Sequence, residues 1–283
     1  NRWNSGQDQA VYMDMEAASL PSITVQMLGR DMNRLYGYRQ EMNTTAAGEN
    51  LTILPEDRAL TVDITGGGVT GISYEVRSMD RARLVERTEV SDWQQTQQGI
   101  AATLPIQNLL TKEREYQLII QLDTENYGSV YYYTRILWTD SAQHARDMVD
   151  LAADFSIKTF DYEQAKSLTT YLETSPSEDN STFGHTSIHS SFSQLTWGKM
   201  NMQPEGNVEI RLKELDGVMC GVQLSYQAKR QGDGAEETYE VEEDFTLKWN
   251  ELRIYMMQYD RTVNQIFAGD RSEYSGKRIL LGI

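Results

Sequence analysis

The sequence predicts a mainly β protein in which an antiparallel β-sandwich precedes an α+β domain. Between residues 60 and 137, short runs of alternating apolar and polar residues are separated by turn-forming residues, which is typical of antiparallel strands. From residue 140 apolar residues recur at helical spacing, and from residue 208 the alternation returns. This order predicts two helices that cover one face of a second antiparallel sheet.

Length and composition favour two globular domains. The chain has 283 residues, of which 39% are hydrophobic and 24% charged, as in ordinary globular proteins. We expect an N-terminal linker and β-hairpin at residues 1–50, which could join the sandwich, and the sandwich itself at 51–139. The α+β domain is expected at 140–270. Residues 271–283 read as the start of a C-terminal segment that continues past Ile283.

The charge balance argues against nucleic acid and membrane-surface partners. Twenty-six Lys and Arg residues face 42 Asp and Glu residues, so the formal net charge is -16. Such a surface repels the phosphates of nucleic acids and anionic lipids, and no cluster of Lys and Arg offsets it locally. We therefore expect no nucleic acid partner, and membrane contact only through an anchor outside this sequence.

The number of cysteines and the identity of the first residue give information about the cellular compartment of the protein. Cys220 is the single cysteine, so no intrachain disulfide can form; this fits both the cytosol and the outer face of Gram-positive bacteria. No apolar run approaches the roughly 18–20 residues of a membrane span. The chain starts at Asn1 rather than Met, and its polar opening suits a juxtamembrane linker. We expect an extracellular or cell-surface protein, anchored by a removed N-terminal segment.

The predicted strands of the first half follow one another in short steps. "ITVQML" and "MNRLYGY" around Gly29 predict a hairpin. Further strands are predicted by alternation and by their flanking turns; they are 60–64, 72–76, 83–90, 99–106, 116–122 and 129–137. The glycine-rich "TGGGVTG" between the first two lacks the Lys-Ser/Thr of a phosphate-binding loop, and therefore predicts a turn.

One segment carries a family resemblance. In "NLLTKEREYQLIIQL", Leu110 stands six residues before Tyr116, where a strict alternation begins, and Gly128-Ser129 open the next strand. Residues 55–138 resemble a fibronectin type III or immunoglobulin-like sandwich, although Lys112 stands where the family usually has proline. The resemblance implies that the Tyr116 hydroxyl bonds to upstream backbone above a buried Leu110. It also implies a spacer or adhesive module without catalysis.

The second half begins with two predicted helices. Ala145, Met148, Ala152 and Phe155 fall on one stripe of the first helix, which Asp140 or Ser141 could cap. A second helix is predicted after Asp161, whose side chain is expected to cap it.

The strands that follow predict a detailed hairpin. Alternation predicts strands that end near Leu212 and begin near Val218, with Cys220 on the apolar face. A three-residue loop at 215–217 would pair Leu212 with Cys220, and so place both apolar faces on the same side. Two further strands are predicted at 239–249 and 252–256.

Several catalytic and metal sites are disfavoured. His185 and His189 are four positions apart in a predicted strand, where they span roughly 13 Å, too far to grip one zinc ion. Cys220 lacks a local partner that would stabilise a thiolate, and the chain has no Gly-x-Ser-x-Gly motif. We expect no cofactor, no metal and no enzymatic activity. A hydrolase with two carboxylates far apart in sequence is an alternative, because such pairs leave no motif.

Glu243 is the first candidate ligand-binding residue. Alternation places it between Val241 and Phe245 on the face that should be dry. An unpartnered buried carboxylate is costly, so Glu243 has a partner, lines a wet pocket or is displaced by a β-bulge. We expect the bulge, with a pocket as the functional alternative.

Aromatic residues form the second candidate. Tyr131 and Tyr133 share one face of a predicted strand and, with Trp138, could form a stacking platform for a sugar or peptide. Strand propensity alone explains the same residues.

Together these features predict a non-catalytic binding, spacer or sensor protein of a bacterial cell envelope, with a protein or glycan partner. The alternative is a protein that binds a small molecule or glycan in a pocket of the α+β domain.

Overall fold

A computed structural model describes residues 20–42, 49–108 and 110–267 and confirms a mainly β protein with a small helical part. Most of the predicted linker and all of the predicted segment 271–283 lie outside the described residues. No helix within the described ranges combines the length and apolar character that crossing a bilayer requires.

The described residues of the first half form ten strands in two sheets. The strands are β1 Ser22–Met27, β2 Arg30–Tyr36, β3 Leu51–Ile53, β4 Leu60–Thr65, β5 Val69–Arg77, β6 Leu84–Glu89, β7 Trp93–Thr96, β8 Gly99–Leu104, β9 Glu115–Thr124 and β10 Gly128–Leu137. One sheet has the order β2-β1-β4-β8-β7 and the other β3-β10-β9-β5-β6. Every pairing is antiparallel except that of β3 with β10. The predicted hairpin at 23–38 is confirmed as β1 and β2, and β1 joins it to the first sheet through β4.

The two sheets share a core because each strand turns alternate residues inward. Ile23, Val62 and Ile100 of the first sheet belong to the same buried cluster as Tyr74 and Ile120 of the second. This face-to-face burial is the main stabilising contribution to a sandwich.

The connection before β9 has the predicted geometry. The backbone N–H of Thr111 donates to the Tyr116 hydroxyl at 3.0 Å. The ring is 4% exposed, and Leu110 is 5% exposed in the same core. Tyr116 therefore holds the connection against the sandwich, as its position in the sequence predicts.

The second half packs helices on one face of a third sheet. Its elements are α1 Ala142–Lys158, α2 Tyr162–Ala165 with a 3-10 helix at Lys166–Tyr171, β11 His185–Ser187, α3 Phe192–Leu195, β12 Gln203–Asp216, β13 Met219–Gln231, β14 Glu236–Trp249 and β15 Ile254–Ile266. The sheet order is β11-β15-β14-β13-β12, all antiparallel. The predicted stripe of α1 is buried from Ala145 to Phe155. Asp161 caps α2 as predicted, whereas Ser141 precedes α1 without a side-chain capping bond.

The predicted three-residue loop between β12 and β13 is wrong. The turn contains two residues, Gly217 and Val218, and pairs Asp216 with Met219. A register shift between Leu212 and Glu214 returns the apolar residues to one face, so that Leu212 lies opposite Val222. The prediction failed because it assumed that each residue of β12 pairs with one residue of β13. A bulge places an extra residue in one strand, so it changes which residues are paired while the apolar side chains stay on the buried face.

The two halves are joined at β2 and β12 by buried hydrogen bonds of Asn33 and by an exposed ion pair of Arg34. Asn33 on β2 donates from Nδ2 to the Leu51 carbonyl and accepts from the Leu212 N–H, both at 2.8 Å. Arg34 also pairs with Glu209 of β12 at 2.9 Å. Buried apolar residues of both halves form one continuous cluster, so the core extends across the junction.

Candidate functional site: a cleft beside Glu243

Glu243 lies in the regular part of β14 and not in a bulge. It is 0% exposed and pairs with Leu224 on one side and Arg261 on the other. The β14–β15 register shifts further on, between Thr246 and Leu247. The predicted bulge is therefore wrong, because hydrogen-bond partners keep this carboxylate in the interior.

Two hydroxyl groups hold the Glu243 carboxylate. Ser156 of α1 donates to Oε1 and Tyr259 of β15 donates to Oε2, each at 2.5 Å. Hydrogen bonds to a charged acceptor are stronger than neutral ones, which offsets part of the cost of burial. Burial first, and the Glu243 carboxylate next, raises the pKa of Tyr259 well above its ordinary value. Tyr259 therefore remains a proton donor at neutral pH.

Arg261 is the cross-strand neighbour of Glu243 but is bound by other groups. It is 0% exposed, and its guanidinium donates to the carbonyls of Leu195 at 2.8 Å and Gln194 at 3.0 Å. It also lies 3.5 Å from the centroid of the Trp197 ring. The carbonyls at the end of α3 and the face of an aromatic ring both attract a cation. Among the described residues of the second half, the interior thus holds the Glu243 carboxylate and the Arg261 guanidinium, each with its own partners.

An aromatic layer connects Arg261 to the surface. The Trp197 ring stacks on Phe160 with centroids 5.2 Å apart, and its Nε1 donates to Thr159 at 3.2 Å. Phe160 in turn meets Tyr226 edge to face at 5.9 Å. Phe160 and Tyr226 both line a cleft.

The cleft lies between α1 and the β12–β13 edge of the sheet. Its volume of about 400 Å³ is within the range of small-molecule pockets, roughly 300–1,000 Å³. Its lining is mostly apolar and comprises Arg30, Asp31, Ala153, Ser156, Ile157, Phe160, Pro204, Val208, Ile210, Leu224 and Tyr226. Ser156 belongs to this lining and also bonds Glu243, so the buried carboxylate lies one hydrogen bond behind the cleft wall.

Tyr226 also lines the cleft, but its hydroxyl lies in the interior, near the Glu243 carboxylate. The residue is 6% exposed, and its hydroxyl oxygen is fully buried. Burial, and to a smaller extent the charge of Glu243, raises its pKa well above the ordinary value, so the hydroxyl stays protonated.

Two residues of the first half line the cleft. Arg30 and Asp31 begin β2, and the Arg30 guanidinium bonds to Asp150 of α1 at 3.0 Å. The cleft therefore lies at the junction of the two halves, and its single cationic lining residue already has an anionic partner.

The predicted aromatic platform is divided between two places. Tyr131 and Tyr133 share the outer face of their sheet, where Tyr38 packs edge-on against Tyr133 at 5.9 Å. Trp138 follows the end of β10, roughly 20 Å away along the strand direction, with Arg58 and Lys112 over its ring at 4.8 and 4.7 Å. None of the three predicted aromatic residues lines the cleft.

His185, His189 and Cys220 each have contacts that a structural role explains. His185 contacts Asp260 at 3.1 Å, and His189 contacts the Glu173 carbonyl at 2.9 Å. Cys220 is 1% exposed in the sheet core. Within the residues that the structure describes, no group of three or more His, Cys, Asp or Glu side chains is arranged to hold a metal ion.

Sequence reasoning located Glu243 but missed Ser156, Tyr226 and Arg261. Tyr226 continues the apolar alternation of β13 and gives no polar signal. Arg261 carried a usable signal, because it lies two positions after Tyr259 on the dry face of β15. The sequence gives no signal for Ser156, since the contact of Ser156 with Glu243 depends on how α1 crosses the sheet.

Comparison with protein-family models gives no match for this chain, and comparison with curated proteins also gives none. The cleft and the hydrogen bonds behind it are therefore the features that indicate a function.

Proposed function

We propose that this protein is a non-catalytic binding protein of a bacterial cell envelope, whose α+β domain holds a small molecule in the cleft between α1 and β12–β13. The observation that carries the proposal is a mostly apolar cleft of about 400 Å³ at the junction of the two halves. Binding sites are commonly concave and apolar, with a few polar groups that orient the ligand.

The lining favours binding over hydrolysis. Glycoside hydrolysis needs two carboxyl groups on either side of the scissile bond. Asp31, at the mouth, is the one carboxylate among the described lining residues, and Glu243 is fully buried with both oxygens bonded to hydroxyls. The apolar walls also favour an apolar small molecule over a glycan, whose hydroxyls need many polar partners.

The first half would then act as a spacer of the fibronectin type III or immunoglobulin-like kind. The order β1-β4-β8-β7 facing β10-β9-β5-β6 supports this proposal, because it corresponds to the A-B-E-D and G-F-C-C′ order of such modules. The bond from Thr111 to Tyr116 supports it as well. The single cysteine fits an extracytoplasmic position and the cytosol equally, so the cellular location is decided by experiment.

Titration with the fluorescent apolar probe N-phenyl-1-naphthylamine tests the binding function. We expect saturable binding of one probe per chain. Val208→Trp, which adds an indole to the cleft wall, should weaken binding at least about tenfold, or about 1.4 kcal/mol. Leu252→Trp is the matched control, because Leu252 is 89% exposed and lies outside the cleft. Non-saturable binding, or equal affinity in Val208→Trp and the wild type, would contradict the proposal.

Protease treatment of intact source cells tests the location. We expect an external protease to degrade the protein while a cytosolic marker stays intact. Full protection of both proteins would place this chain inside the cell and overturn the envelope assignment.

A further inference from the structure

The loop between the 3-10 helix and β11 contains the sequence pattern of an N-glycosylation acceptor. Residues 172–184 form neither helix nor strand. Within them, Asn180-Ser181-Thr182 matches the Asn-x-Ser/Thr pattern, which accepts sugars when it lies in a surface loop of a secreted protein. All three of these residues are exposed. The local structure therefore meets the condition that the pattern requires.

The side chain of Asn180 can carry a sugar and keep the contacts that it makes in the fold. Its Oδ1 accepts a hydrogen bond from the Ser191 N–H at 3.0 Å, and its Nδ2 donates to the Glu178 carbonyl at 3.2 Å. A primary amide has two N–H bonds, and an N-linked sugar replaces one of them. The glycosylated side chain keeps its carbonyl oxygen and one N–H, so it can still make both hydrogen bonds.

A second match to the pattern is closed by the fold. Asn50-Leu51-Thr52 leads into β3, where Asn50 is 8% exposed and Thr52 is fully buried. The Thr52 hydroxyl is hydrogen-bonded to that of Thr134 at 3.0 Å. A further match, Asn43-Thr44-Thr45, lies outside the described residues. The two described matches thus share the pattern, and the fold leaves only that of Asn180 accessible.

We propose that Asn180 is an N-glycosylation site, which receives an oligosaccharide from a lipid diphosphate donor. In this transfer Nδ2 forms a bond to the anomeric carbon of the first sugar, while the bond from that carbon to the diphosphate oxygen breaks. The lipid diphosphate leaves and Nδ2 loses one proton, so no oxidant or reductant is needed. This inference rests on the extracytoplasmic location proposed above and is independent of what the cleft binds.

Peptide mass spectrometry of the protein isolated from its source cells tests the inference. Trypsin cleaves after Lys166 and Lys199 and releases residues 167–199, in which Asn180 is the single asparagine. We expect this peptide to exceed its sequence mass by whole sugar residues, with fragment ions that place the sugars on Asn180. Asn50, in the tryptic peptide 40–58, should be unmodified.

Thr182→Ala, expressed in the same cells, should abolish the modification although Asn180 itself is retained. Thr182→Ser is the matched control, because it keeps the hydroxyl that the pattern requires, and it should retain the sugars. An unmodified peptide from protein that an external protease reaches would overturn this inference and leave the envelope location intact. Sugars that persist on Asn180 in Thr182→Ala would overturn it as well. Protection of the protein from the protease would overturn the location and this inference together.

Discussion

The carboxylate of Glu243 lies in the interior of the α+β domain, where each of its oxygens accepts one hydrogen bond from a hydroxyl. Arg261, on the adjacent strand, is equally buried and is held by carbonyls and an aromatic ring. Each charge lowers the cost of burying the other, because the interior screens their attraction less than water does. Removing one of them should therefore cost more than the loss of its own hydrogen bonds.

Glu243→Gln tests this coupling. The change keeps the size of the side chain but leaves the Arg261 cation buried without an anion. We expect the free energy of unfolding to fall by roughly 1–3 kcal/mol, because the neutral amide accepts weaker hydrogen bonds from Ser156 and Tyr259 and Arg261 loses a neighbouring anion. The control is Glu242→Gln, since Glu242 is exposed on the opposite face of the same strand and should change stability by less than about 0.5 kcal/mol. Urea unfolding measures both variants, and equal effects would contradict the coupling.

Cys220 allows a prediction of reactivity and of pH dependence. Burial, with a smaller contribution from Glu214, raises the pKa of its thiol from 9.0 to about 12. The folded state therefore holds the proton more tightly than the unfolded state. This contribution to stability is complete below pH 9.0 and is lost as the pH rises towards 12.

We expect the folded protein to resist 5,5′-dithiobis(2-nitrobenzoate) in mildly alkaline buffer, because the thiolate is the reactive form. The denatured protein should release one equivalent of the thiolate product. Rapid labelling of the folded protein would show that Cys220 is accessible and ionised, contrary to this account.

At the scale of elements, the β12–β13 hairpin shows how a turn and a bulge act together. Gly217 has a φ of 57° at the first central position of a two-residue turn, where a type II′ turn uses glycine. The register shift between Leu212 and Glu214 then keeps Leu212 and Val222 on the buried face. The buried face thus stays continuous although the turn is shorter than the sequence predicts.

Gly217→Ala should lower the free energy of unfolding by about 1–2 kcal/mol, because an L residue is strained at this φ. Gly67→Ala is the matched control. A Cβ added at either glycine would meet no atom within 4 Å, but Gly67 does not have a positive φ. Thermal unfolding of both variants separates the cost of backbone strain at Gly217 from the general effect of replacing glycine by alanine. A loss in Gly67→Ala as large as in Gly217→Ala would contradict the explanation.

At the scale of the whole molecule, the junction between the halves determines whether they unfold together. Asn33 has a φ of 54° in β2 and bonds to the backbone of both β3 and β12. Because the buried cluster continues across this junction, we expect wild-type protein to unfold in one cooperative transition.

Asn33→Gly should weaken the junction without straining the backbone, since glycine adopts positive φ freely. The loss of both side-chain bonds leaves the Leu51 carbonyl and the Leu212 N–H without these partners. We expect a destabilisation of roughly 2–4 kcal/mol and a broader or biphasic transition in calorimetry. Asn207→Gly, at an exposed position of β12, should change stability by less than about 1 kcal/mol. A single sharp transition at unchanged temperature in Asn33→Gly would contradict the prediction.

The sequence by itself determined the fold class and the order of the longer segments, because the spacing of apolar residues is a local property. It did not predict the short elements β3, β7 and α3, which have too few residues to show a period. It also determined the role of Tyr116, whose partner, the Thr111 N–H, is only five positions away.

Only the tertiary structure decided how Glu243 is stabilised and where the cleft lies. Ser156, Tyr226, Glu243 and Arg261 come from α1, β13, β14 and β15. They meet through the register of three strands and the crossing of one helix. Strand register depends on bulges and long-range packing, so the spacing of these residues along the chain does not reveal the site.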